Sequence, residues 1–122
     1  MDEILHRIYF FARKVKFMAA EFNKVGENLV VAPLGEIDHH ETKTLRDEID
    51  EEILRILPKK VIFDLSRTSF MDSSGLGLIL GRFNKAQSIG ADFEIANPGE
   101  KIMKIIKMAG LEKIITIKGV EK

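Results

Sequence analysis

Apolar positions along the chain alternate between a strand rhythm and a helix rhythm. "EFNKVGENLVVAPLGEI", Glu21 to Ile37, reads as two short strands joined at Gly26–Asn28, residues suited to a hairpin turn. Pro33 weakens the second strand's claim to a fully paired central place, because proline has no amide proton to give to a ladder. From Asp38 the period changes. Leu45, Ile49, Ile53 and Ile56 recur at helical intervals, and Pro58 stops them. Asp38 is expected to cap this helix, with Glu41 in the capping-box position. "KKVIFDLS" is then a nearly continuous apolar strand, the pattern of a strand covered on both faces or along one deep edge.

In "SSGLGLILGRFNKAQSIG" the residues Leu76, Ile79, Leu80, Phe83 and Ala86 return to helical spacing, and Gly90 ends the run. "DFEIAN" is a strand. "NPGEKIMKIIKMAG" predicts a helix in which Asn97 caps, Pro98 takes the first turn, Glu100 completes the box and Gly110 terminates. "KIITIK" is a last strand. The order β-β-α-β-α-β-α-β predicts an α/β fold, with a mixed, mostly parallel sheet flanked by helices.

Ahead of this pattern, "MDEILHRIYFFARKVKF" places Ile4, Leu5, Ile8, Phe11, Ala12 and Val15 on one helical stripe. Residues 1–18 are therefore expected to form a helical N-terminal extension with no assigned role, and residues 19–122 a single domain. A length of 122 residues suits one domain. Without cysteine there is no disulfide framework, thiolate nucleophile or cysteine-based metal site. Nineteen basic and nineteen acidic side chains cancel, so no global field recruits nucleic acid. No apolar run approaches the ~20 residues a bilayer requires, so a cytoplasmic protein without a membrane partner is expected.

Candidate chemistry gathers in "SFMDSSGLGLILG", Ser69 to Gly81. Gly75, Gly77 and Gly81 are spaced G-x-G-x-x-x-G, not as a dinucleotide fingerprint, and no G-K-[ST] follows. Each glycine inside a helix costs ~1 kcal/mol against alanine, and close approach to the sheet or to a partner backbone would account for it. Ser73 and Ser74 follow a strand and precede a helix, but no G-x-S-x-G frame surrounds them. The histidines are His6, His39 and His40, and the adjacent pair reads as exposed first-turn residues, not as a metal site. Glu48, Asp50, Glu51 and Glu52 read as a solvated helix face. Asp72, Ser73 and Ser74 are all good cap residues. A helix start also tolerates an added phosphate, so a phosphoacceptor hydroxyl is compatible with the cap.

"LGEIDHH" (Leu34–His40), "FDLSRTSFMDSSGLGLILGRFNKAQSIG" (Phe63–Gly90) and "MAGLEKIITI" (Met108–Ile117) together resemble the anti-sigma factor antagonists of the STAS superfamily, the sporulation type above all. The resemblance implies a non-enzymatic partner switch. The unphosphorylated form binds an anti-sigma factor that is also an ATP-dependent serine kinase, and a sigma factor is released. It further implies that the kinase phosphorylates Ser73, the first serine of D-S-S-G, and that a PP2C-type phosphatase reverses this. Asp38, Asp72, Ser73, Ser74, Gly75 and Leu76 are the partner-binding residues it implies, with no catalytic residue, cofactor or metal. Two alternatives stay open: a STAS domain that binds a nucleotide or other small anion at the helix start, and a stress-response antagonist or scaffold for another sigma factor.

Overall fold

The structure, a computed structural model, describes residues 19–119, so the predicted helical extension of residues 1–18 lies outside the described residues. The first strands are β1 (Ala20–Val25), β2 (Asn28–Pro33) and β3 (Gly35–Ile37). Helix α1 (Thr42–Ile56) leads to β4 (Lys60–Asp64) and β5 (Thr68–Met71). Helix α2 (Ser73–Ser88), β6 (Asp92–Ala96), α3 (Glu100–Met108), a 3-10 turn (Leu111–Lys113) and β7 (Thr116–Lys118) complete the described chain. The predicted order is kept, with two short strands, β3 and β5, added to it.

The main sheet runs β1-β2-β4-β6-β7. Its β1–β2 hairpin is antiparallel, turning at Gly26 with φ +62°. The other neighbours pair in parallel through helical crossovers. Pro33 is reconciled with an interior β2 by register. The β2–β4 pairing ends at Val31↔Phe63, so Pro33 lies beyond the parallel ladder and faces only Ala20 of β1. Central β4 buries Val61 and Phe63 completely and leaves none of its residues fully exposed, as its apolar sequence predicts. Phe63 touches Phe93 with ring centroids 5.2 Å apart, and Phe83 meets Phe93 edge-on at 5.9 Å. Leu45, Ile49 and Ile53 of α1 and Ile102 and Ile106 of α3 bring helix side chains into the same core. Each such side chain contributes ~1.5–3 kcal/mol by leaving water.

Helix α2 keeps most of its predicted stripe, with Ile79 and Ala86 buried and Leu76 and Phe83 packed on the core, and departs from it at Leu80. Leu78 is buried as well, and so is Arg82, while Leu80 faces solvent. Arg82 turns inward because Asp50 of α1 waits there, with Nε 2.9 Å from Oδ1. Asp50 therefore leaves the solvated acidic face to which the sequence reading assigned it. Two predicted caps also move. Helix α3 begins after Gly99, while Asn97 adopts a left-handed φ of 54° and directs its amide to Asp64 instead. Helix α1 begins after Glu41, whose side chain makes no cap bond. Asp38 serves the preceding turn, its Oδ1 accepting from the amides of His40 (2.9 Å) and Glu41 (3.2 Å).

Candidate functional site

The two sequence motifs, one around Asp38 and one around Asp72, meet through the small parallel sheet β3–β5. Glu36 pairs with Phe70 and Ile37 with Met71, so Asp38 and Asp72 leave adjacent strands side by side. The amide of Asp72 donates to the carbonyl of Ile37 at 3.3 Å, which extends the pairing into the site. The sequence reading missed both strands. Its only signal was the repeated pattern of a short apolar step ending in aspartate, "GEID" and "SFMD".

Asp72 has extended backbone geometry and caps α2 directly. Its Oδ1 accepts from the amides of Ser74 at 2.8 Å and Gly75 at 3.3 Å, while its carbonyl receives Leu76. Such a cap stabilises a helix by ~1 kcal/mol. Ser73 is the first helical residue and is exposed; Ser74 is half-buried. Gly75 is buried against β3 and β5. A Cβ there would stand 2.8 Å from the Cβ of Met71 and 3.3 Å from Cγ2 of Ile37. Close approach to the sheet thus explains this glycine. Leu76 is half-buried and packs on the core, which anchors the turn from below.

The surroundings of Ser73 combine negative charge with one apolar side chain. Glu36 is exposed, and Asp38 and Asp72 are half-exposed. Phe70, two residues before Asp72, leaves 48% of its surface in water, an exposure that sequence reasoning overlooked. In β5 the end residues Thr68 and Met71 are buried while Ser69 and Phe70 between them are exposed, so no alternation in the sequence announced it. His39 and His40 are exposed beyond Asp38 and contact each other edge-on. At the end of the main sheet, burial alone would raise the pKa of Asp64. Hydrogen bonds from Ser66 and Asn97 and the charge of Arg67 outweigh it and hold the carboxyl below its ordinary value.

The STAS-domain family model matches residues 19–122. The chain belongs to the STAS-domain family. Among relatives of this STAS domain, the anti-sigma F factor antagonist of Paenibacillus polymyxa is 36% identical over 89 residues, covering 73% of this chain and 76% of that protein. The anti-sigma-B factor antagonist of Bacillus subtilis is 32% identical over 88 residues, covering 68% and 74% respectively. The solved structure of unphosphorylated SpoIIAA, an anti-sigma factor antagonist, superposes with a TM-score of 0.71 at 30% identity, covering 81% of this chain and 87% of that one. The phosphorylated form of SpoIIAA, a Bacillus cell fate determinant, gives 0.64 at 31% identity, covering 81% and 90%. Among the described residues no helix is long and apolar enough to cross a membrane.

Proposed function

We propose that this STAS domain is a cytoplasmic anti-sigma factor antagonist whose contact with its partner is switched off by phosphorylation of Ser73. The partner is an anti-sigma factor that also acts as an ATP-dependent serine kinase, and a PP2C-type phosphatase restores the binding form. The domain itself contributes binding, not catalysis. Asp38, Asp72, Ser73, Ser74, Gly75 and Leu76 form the contact, with Phe70 as an apolar anchor beside them. The relatives named for sigma F and for sigma B both support the antagonist role, and the higher identity to the sigma F antagonist favours a sporulation sigma factor as the one released.

The register of β3 against β5 carries this reading, because it joins two motifs distant in sequence into one surface around an exposed hydroxyl. Ser73 is held by a cap that uses the neighbouring Asp72, so a phosphate on its oxygen breaks no bond that holds α2. It would add ≈ −1.5 to −2 charges beside Glu36, Asp38 and Asp72. A surface that docks with its carboxylates alone and repels once a phosphate joins them needs only ~3 kcal/mol of penalty to lose more than a hundredfold in affinity. Ser73→Ala should bind the cognate kinase like the wild type but resist modification, while Ser73→Glu should bind at least tenfold more weakly in a titration. Equal binding of Ser73→Glu and wild type would refute the switch.

A further inference from the structure

Gly77 and Gly81 differ from Gly75 in having no reason inside the fold. A Cβ built at either position meets no atom within 4 Å. Alanine would favour the helix at both sites, so the domain alone gains nothing from these glycines. They lie one turn apart on α2 and floor a cleft of about 420 Å³ between α1 and α2. Lys43 and Arg46 of α1 rim it, Arg82 lines it from α2, and none of the lining residues is acidic.

Arg82 is an independent pointer to an occupant. Only 8% of it is exposed, yet its Nε makes no aligned hydrogen bond despite lying 2.9 Å from Asp50. Burial pushes its pKa down, Asp50 opposes that, and the charge of Arg46 adds to the lowering, against a smaller opposing effect of Asp47. Among the described residues Asp50 is thus its one ionic partner, held without an aligned hydrogen bond, and the guanidinium can take a further anionic group brought into the cleft. Bare glycines speak to the shape of the occupant. A lone anion needs donors, whereas missing side chains over a full turn let another backbone come close. From Ser74 to Arg82 the floor runs about 12 Å, two helical turns, the footprint of a helix lying in a groove. Ser74 lines the cleft and also belongs to the D-S-S-G turn, so cleft and switch surface are continuous.

We infer that the α1/α2 cleft receives an acidic helix of the anti-sigma factor, its backbone over Gly77 and Gly81 and its carboxylates on Lys43, Arg46 and Arg82. This rests on the antagonist reading and extends the contact beyond Ser73. The test titrates the purified anti-sigma factor kinase of the same organism into unphosphorylated STAS variants, alongside thermal melts. Gly77→Ala/Gly81→Ala should melt several degrees higher than wild type, about 4–8 °C, because alanine favours the helix. The same variant should bind at least tenfold more weakly. Lys43→Glu/Arg46→Glu should lose at least tenfold as well and show a flatter salt dependence. Binding within twofold of wild type by the glycine variant overturns the inference. Unchanged binding by the charge-reversed variant overturns the acidic occupant. A folded wild type that ignores the kinase fells the antagonist reading itself, and that result is distinct from either variant's behaviour.

Discussion

At Gly75, in the first turn of α2, an added Cβ would press into Met71 and Ile37, whereas two and six residues further on it would meet open space. The first turn is thus specified from inside: Asp72 caps it, β3 and β5 brace it, and Ser73 is left outside with no structural duty of its own. The middle of the same helix is tied inward on one side through Leu78, Ile79 and the Arg82–Asp50 pair, while Gly77 and Gly81 meet no neighbouring atom on the other. One helix therefore offers two kinds of surface. Its start is a rigid platform for a modifiable hydroxyl, and its middle is a recess whose shape the domain does not need for itself.

Three substitutions sharpen the contrast. Asp50→Ala should cost the most stability, about 3 kcal/mol by denaturant unfolding, because it strands the Arg82 guanidinium between α1 and α2. Replacing both partners, as Asp50→Leu/Arg82→Met, should recover most of that loss, since apolar residues of similar size need no partner. A double variant as unstable as the single would mean that the two residues are not coupled. Gly75→Ala should cost about 1–3 kcal/mol by the same measurement, because backbone-anchored Met71 and Ile37 cannot yield easily. A neutral or stabilising outcome there would erase the distinction from Gly77 and Gly81. Asp72→Ala should cost the least, about 1 kcal/mol, the loss of a cap serving two amides.

The main sheet and its helices were legible in the sequence because their apolar residues repeat over enough positions to set a period, as in Leu45, Ile49 and Ile53. Strands β3 and β5 were not, since three and four residues are too few for a rhythm, and their pairing is long-range. Of the three cap-type residues Asp72, Ser73 and Ser74 that the sequence offered, the structure makes Asp72 the cap. Asp38 and Asn97 were good cap types that tertiary contacts reassigned, to a preceding turn and to Asp64 respectively. On α2 only Leu80 was assigned to the wrong face and Arg82 was missed, because the helix's glycines give little sidedness and an ion pair can carry an arginine inward. Periodicity scores Arg82 as polar and Leu80 as apolar, and the partner across α1 reverses both. The motif residues could be identified in sequence, but only the β3–β5 register makes Asp38 a neighbour of Asp72.

The central claim is that Ser73, outside a cap that does not need it, is the hydroxyl on which the partner contact turns. Incubating the domain with its cognate kinase and ATP, then mapping the phosphate by mass spectrometry, tests it most directly. The account predicts one phosphate, on Ser73, absent from Ser73→Ala, with the modified domain released from the kinase. A phosphate on Ser74, or a phosphorylated domain that stays bound, would contradict it.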